Sequence, residues 1–265
     1  MAARTRASTQ ARTQPLTGRV ALVTGATQGI GRATAERLAR DGAAVAVNGL
    51  AHDERMDEVL AATSGVAAPA DVSDREAVGA MVAGIEQTVG TVDVLVVNHA
   101  YMTMARLVDH DPDDWWKVVD TNLGGAFHLV QAVLPGMLRA GFGRIVLISS
   151  EWGVTGWPQA TAYAASKAGL ISLTKTLGRE LAPKGVIVNA VAPGVIDTPQ
   201  LEVDAAAAGV TRSQIVEAYA HDIPMQRVGR PEEIAAAVAL LVDPRMAALV
   251  GQVVQVNGGT TRTRA

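Results

Sequence analysis

The chain has no cysteine anywhere in its 265 residues. That removes disulfides, thiolate metal sites and cysteine nucleophiles together, and it fits a reducing compartment. Aromatic residues make up only 3% and the net charge is -3, so neither the stacking platforms nor the basic footprint of a nucleic-acid binder is present. No apolar run reaches the length of a membrane span. Residues 1–17 hold no acid: Arg4, Arg6 and Arg12 stand among Ser, Thr and Gln, and the first carboxylate is Glu36. Organellar leaders share that composition, but no amphipathic helix is evident, and the segment reads as a disordered tail. The span 18–265, in a chain that is 49% hydrophobic, is long enough to bury one large core and reads as a single domain with a cytoplasmic setting.

What is present is regular alternation. Short apolar runs at 19–23, 44–48, 66–70, 92–97, 145–148, 186–191 and 252–256 read as strands. Helical patterns intervene at 32–40, at 53–62, at 74–89 with Ser73 as the expected cap, at 113–138, around Tyr163, and at 234–241. Continuously apolar strands alternating with helices imply an α/β fold, a doubly wound parallel sheet of about seven strands with helices on both faces in a three-layer sandwich. One long stretch, 194–229, lacks a clear pattern apart from two short helical pieces at 205–208 and 213–220. An excursion of that size in a compact domain reads as a lid over a site.

Three stretches carry chemistry. After the first strand comes Thr24-Gly25-Ala26-Thr27-Gln28-Gly29-Ile30-Gly31, then a helix. Glycines in a strand-turn-helix permit a tight turn and close approach of backbone to a pyrophosphate at the helix N-terminus, although this spacing is not the general G-x-G-x-x-G fingerprint. Tyr163 and Lys167 are four apart in a helix-favouring segment, so both point the same way. A lysine ammonium held beside a phenol is expected to lower the tyrosine pKa from about 10 toward working pH, making it a proton donor and acceptor. Ser150 ends a buried strand, at the end of the sheet where ligands bind in open α/β folds.

Assembled in this order, the motifs resemble those of the short-chain dehydrogenase/reductase family over 18–259, which implies a Rossmann-like fold. The turn with Gly25, Thr27, Gln28, Gly29, Ile30 and Gly31 resembles that family's cofactor turn, and Asp71-Val72 its adenine-contacting pair. Asn98-His99-Ala100-Tyr101 falls where the family usually has Asn-Asn-Ala-Gly. Asn122, Ser150, Tyr163 and Lys167 match its catalytic tetrad, and Pro193, Gly194, Ile196 and Thr198 its nicotinamide-facing segment. The resemblance implies that Ser150 and Tyr163 hydrogen-bond the substrate oxygen. Lys167 would hold the nicotinamide ribose and depress the Tyr163 pKa, and Asn122 would hold a water of the proton relay. His99 reads as a packed, hydrogen-bonded histidine outside the catalytic set, and the Tyr101 ring must turn away from the cofactor. The run Asp109, Asp111, Asp113 and Asp114 reads as a helix start, and no metal site is expected.

The resemblance thus implies an NAD(P)(H)-dependent oxidoreductase that interconverts a carbonyl and a secondary alcohol, closest to the 3-oxoacyl-thioester reductases. A sugar or polyol dehydrogenase is the alternative, and a non-catalytic nucleotide-sensing regulator a third reading that an intact tetrad argues against. Glu151, Trp152 and Trp157 are expected to line the substrate pocket. Asn48, at the end of the second strand, is neutral where an NAD enzyme usually has a carboxylate, so NADP(H) is favoured with NAD(H) admitted, and Asn48→Asp would move the preference toward NAD. Family resemblance also implies a homotetramer.

Overall fold

The computed structural model of the chain describes residues 14–261. Seven strands alternate with helices: β1 (Val20–Val23), α1 (Gly29–Arg40), β2 (Ala44–Val47), α2 (Glu54–Thr63), β3 (Val66–Ala67), α3 (Arg75–Thr88) and β4 (Val92–Val97). Then come α4 (Pro112–Val119), a π-helical turn (Asp120–Gly124), α5 (Gly125–Ala140), β5 (Gly143–Ile148), α6 (Trp152–Thr155), α7 (Thr161–Leu181) and β6 (Val186–Pro193). The chain closes with α8 (Gln200–Ala208), α9 (Arg212–Asp222), α10 (Pro231–Val242) and β7 (Val253–Val256). The strands form one sheet in the order β3-β2-β1-β4-β5-β6-β7, and every pairing is parallel. The expected seven-stranded, doubly wound sheet is therefore the one observed.

β1, β4, β5 and β6 are buried along their whole length, because helices cover both faces of the sheet. One apolar core, with Leu95, Leu129, Ile145 and Leu170, lies on the α3, α5 and α7 side. The other, with Val23, Leu38, Val96 and Ile234, lies on the α1 and α10 side. Strand order reverses between β1 and β4, so the crevice beyond their C-terminal ends is where such a fold holds a ligand.

Local chemistry changes three expectations. Residues 14–17, assigned to the tail, belong to the fold: Leu16 is 1% exposed and its N–H donates to the Asp41 carbonyl at 2.9 Å. Residues 1–13 lie outside the described residues. The cap of α3 is Asp74, whose carboxylate accepts from the N–H groups of Glu76 and Ala77 at 2.8 and 3.2 Å, while the Ser73 hydroxyl turns to Asp71. The expected single helix over 113–138 is interrupted by the π turn, and Asp111 caps its start by accepting from Asp113 N–H at 2.8 Å.

The 194–229 excursion folds as α8 and α9, close to the two helical pieces read from the sequence. Its neck is stapled: Gly229 N–H donates to Val195 O and Asp197 N–H to Gly229 O, both at 2.8 Å. Thr211 caps α9 with a capping box to Gln214, and Arg212 pairs with Asp197 and Glu202, which ties α9 to α8 and to the neck.

Candidate active site

The glycine turn is built by close contact. Gly25 has φ +57, and a Cβ on Gly31 would stand 2.1 Å from the Gly25 carbonyl oxygen, so neither position admits a side chain without displacing backbone. Asn98 locks the turn to β4, its side chain donating to the carbonyls of Thr24 and Gly25 at 3.1 Å each. The N-terminus of α1 has no side-chain cap and no acid in its first turn, which leaves its N–H groups and dipole to an anion. This cradle fits a dinucleotide pyrophosphate.

The turn opens onto a groove of about 1180 Å³. Of the residues the resemblance assigns to the cofactor, Gly25, Thr27, Gln28, Gly29, Ile30, Asn48, Asp71, Val72, Asn98, Ala100 and Thr198 line this groove. Gly31 does not; it contributes by letting the turn close. Asp71 is held ionised, its carboxylate below the usual range because the Ser73 hydroxyl and N–H donate to it at 2.7 and 2.9 Å.

Asn48 lines the groove but is 1% exposed, and its Nδ2 donates to the carbonyls of Ala68 at 2.9 Å and Ala70 at 3.2 Å. Its amide hydrogens are engaged in holding the loop after β3. The sequence reading took Asn48 as a neutral residue in place of an NAD enzyme's carboxylate; the structure adds that its amide is committed to those two carbonyls. Arg55 stands at this end of the groove, where it donates to Gln28 of the glycine turn at 3.1 Å and pairs with Asp53 at 2.7 Å. His52 instead faces Asp57 at 2.7 Å.

A second cavity of about 260 Å³ adjoins the groove, sharing Ile30, Asn98, Ala100, Thr198 and Gln200 with it. Ser150, Tyr163, Lys167, Pro193, Gly194 and Ile196 line this cavity, together with Glu151 and Trp152. Ser150 is 9% exposed and its Oγ accepts from Trp152 N–H at 3.1 Å. Lys167 is 2% exposed and its Nζ donates to the Ile148 carbonyl at 2.8 Å, 5.5 Å from the centre of the Tyr163 ring. The end of β5 and α7 are tied by Ser149 Oγ donating to Lys167 O at 2.8 Å.

The pKa expectation is overturned in part. Burial pushes the Tyr163 phenol up to about 12, with the Ser150 hydroxyl acting in the other direction. Burial also brings the Lys167 ammonium down to about 8. The pair therefore holds a protonated phenol beside an amine that titrates near working pH.

Asn122 sits 1% exposed in the π turn. Its Oδ1 accepts from Tyr101 N–H at 2.8 Å, and Nδ2 donates to Tyr101 O at 3.0 Å and to Ser166 Oγ at 3.1 Å. Ser166 Oγ in turn donates to the Tyr163 carbonyl at 2.8 Å. Both amide hydrogens are engaged, so toward a water the side chain offers only acceptor capacity. His99 is hydrogen-bonded as expected, and the Tyr101 ring lies under Lys117, 4.7 Å from its ammonium, on the groove side.

Trp157 is misplaced by the sequence reading. It is 50% exposed and outside the cavity lining, stacked on Trp152 with ring centroids 5.1 Å apart and 6° between planes. Trp152 meets Tyr163 edge-on at 5.9 Å. Helices α8 and α9 add three groups that sequence reasoning missed: Asp204 accepts from Tyr219 hydroxyl at 3.2 Å and from Gln200 at 3.0 Å, and all three line the cavity. Asp204 and Tyr219 are fifteen positions apart on different helices, so no local pattern announces the pair.

A family model described as Enoyl-(Acyl carrier protein) reductase matches residues 25–261. Nodulation protein G of Azospirillum brasilense is 41% identical over 246 residues, covering 91% of this chain and 97% of its own. The 3-oxoacyl-[acyl-carrier-protein] reductase of Thermotoga maritima is 38% identical over 249 residues, covering 92% and 98%. Among solved structures, a putative gluconate dehydrogenase from Agrobacterium tumefaciens superimposes with a TM-score of 0.87 at 28% identity, covering 94% of this chain and 98% of that one. The chain belongs to the short-chain dehydrogenase/reductase family and is an NAD(P)-dependent oxidoreductase of that family.

Proposed function

We propose that Tyr163 is the proton donor and acceptor of a reversible carbonyl reduction, with NADP(H) as the preferred cofactor. One observation carries this: Ser150, Tyr163 and Lys167 line a small cavity that shares a wall with the dinucleotide-sized groove. When bound, the nicotinamide supplies or accepts the hydride. Ser150 and Tyr163 hold the substrate oxygen between two hydroxyls. In reduction the phenolic O–H bond breaks and its proton passes to that oxygen as the new C–H bond forms at the carbonyl carbon. Oxidation runs the same step in reverse. Burial keeps the phenol protonated at neutral pH, which suits donation, and Lys167 is poised to return the proton. Asn122 positions: it ties the π turn to Tyr101 and, through Ser166, to the Tyr163 carbonyl.

Arg55 beside Gln28 supports the NADP(H) preference, since a guanidinium at that end of the groove is placed for a 2′-phosphate. The sequence relatives support a 3-oxoacyl thioester as substrate, by analogy with the Thermotoga maritima reductase. A hydroxylated substrate is the second reading, favoured by the polar wall of Glu151, Asp204 and Tyr219. The segment 194–229 acts as the lid. The exposed Trp116 and Phe127 on the α4 and α5 helices support assembly into a homotetramer through that face, and the lack of cysteine supports a cytoplasmic setting.

Turnover with a panel of ketones, 3-oxoacyl thioesters and sugars, read by NADPH oxidation for the wild type and Tyr163→Phe, tests the reading. Loss of nearly all turnover with cofactor affinity unchanged is expected; a variant that keeps most of its kcat refutes it.

A further inference from the structure

The carboxyl of Glu151 has no place in the proton chemistry just described. It is 6% exposed, it lies next to Ser150 in the cavity wall, and its Oε2 has no hydrogen-bond partner among the described residues. A Cβ on Gly194 would approach that oxygen to 3.3 Å, so the absence of a side chain there leaves the carboxyl room. Burial pushes the Glu151 carboxyl up from its ordinary pKa, with an Asn257 hydrogen bond acting in the other direction, and the oxygen left without a donor is costly unless something supplies one.

The opposite wall has the same polarity. Asp204 of the lid takes hydrogens from Gln200 and Tyr219 and still presents a carboxylate to the cavity. Among the described residues no arginine or histidine lines the cavity, and the one cation there, Lys167, donates to Ile148 O. Over residues 200–225 four acids, Glu202, Asp204, Glu217 and Asp222, stand against the single Arg212, which is itself paired with Asp197 and Glu202. A substrate carrying a carboxylate or phosphate into this cavity would meet two carboxyls and no free cation. A substrate with hydroxyl groups would supply the donor that Glu151 Oε2 lacks and meet a second acceptor in Asp204.

We infer that Glu151 and Asp204 are specificity-determining residues that select an uncharged, hydroxyl-bearing alcohol or carbonyl and reject its anionic counterpart. This rests on the proposed carbonyl–alcohol chemistry and names its substrate class. The cavity of about 260 Å³ suits a small molecule, just below the roughly 300 Å³ at which drug-sized pockets begin.

The test pairs neutral polyols, aldoses and ketoses with the acids made by oxidising one terminal carbon to a carboxylate. Each is measured for turnover with both cofactors and, separately, for the thermal shift it gives the NADPH-saturated protein. Neutral members should exceed their acids by about 100-fold in kcat/KM, and only neutral members should raise the melting temperature. Glu151→Gln and Asp204→Asn keep size and shape, and each should narrow that ratio by about tenfold, mainly through KM for the acid. An acid preferred to its neutral parent, a ratio unmoved by both variants, or no hydroxylated member either turned over or bound overturns the inference. The underlying chemistry is judged apart from it: a wild type that reduces simple ketones while ignoring hydroxylated ones keeps the role of Tyr163 and removes that of Glu151 and Asp204.

Discussion

His99 donates from Nε2 to the carbonyl of Thr121 across 2.9 Å, joining the end of β4 to the π turn that carries Asn122. A carbonyl can only accept, so Nε2 bears the proton and Nδ1 accepts from the Thr24 hydroxyl at 2.9 Å. Thr24 Oγ1 then accepts from the N–H groups of Asn98 and His99 at 2.9 and 3.2 Å. A neutral imidazole thus links the glycine turn to the proton-transfer site.

That neutrality predicts an acid-sensitive fold. Burial, with the Lys167 charge behind it, lowers the His99 pKa from 6.5 to about 4. Between those values the unfolded chain takes up a proton that the folded chain refuses. The His99 contribution is therefore complete above about pH 6.5 and is lost as pH falls toward 4, by on the order of 3 kcal/mol at most. Denaturant unfolding at pH 7 and near pH 4.5 measures it, and His99→Asn should flatten that part of the curve. An equal pH dependence in the variant assigns the acid sensitivity elsewhere.

Lys167 predicts the direction of the pH profile. Its pKa is brought down to about 8, so it is charged below that pH and neutral above it. Carbonyl reduction, which draws a proton through Tyr163, should be level near neutrality and fall as pH rises through about 8, while alcohol oxidation rises through the same range. A reduction rate that climbs through pH 8 contradicts the assignment of Lys167 as the resupplying group.

The motifs that were legible share one property: each is local. The glycine turn, the Tyr163 and Lys167 pair and the strand ending in Ser150 are fixed by spacing within one or two elements, so the chain order alone places them. Illegible were the contacts between distant segments. Arg55 reaches Gln28 from 27 positions away, Tyr219 of α9 reaches Asp204 of α8, and Trp157 stacks on Trp152 outside the cavity. The Tyr163 pKa was misjudged for a related reason. Residue spacing shows that a lysine is near, but not how far burial acts on the phenol.

Gly31 should tolerate no side chain. In Gly31→Ala the methyl would stand 2.1 Å from the Gly25 oxygen and 2.6 Å from Asn98 Nδ2, both of them parts of the turn itself. Backbone displacement there is expected to lower stability by about 1–3 kcal/mol and to weaken cofactor binding. Thermal unfolding with and without NADPH reads both, and an unchanged cofactor-induced shift would mean that the turn does not hold the phosphates.

The cofactor preference separates Arg55 from Asn48. Arg55→Ala removes the guanidinium beside Gln28 but no core contact, so KM for NADPH should rise by roughly 10- to 100-fold while KM for NADH stays nearly constant. Asn48→Asp, the exchange the sequence suggests for gaining NAD, is expected to act mainly on stability. It turns a carboxylate toward the Ala68 and Ala70 carbonyls that now receive the Asn48 amide, leaving a buried charge without donors at a cost of about 2–5 kcal/mol. Melting temperatures and the ratio of kcat/KM for the two cofactors distinguish the variants. A stable Asn48→Asp protein with reversed preference would place the discriminating contact at the end of β2, whereas an Arg55→Ala protein unchanged toward NADPH would remove Arg55 from it.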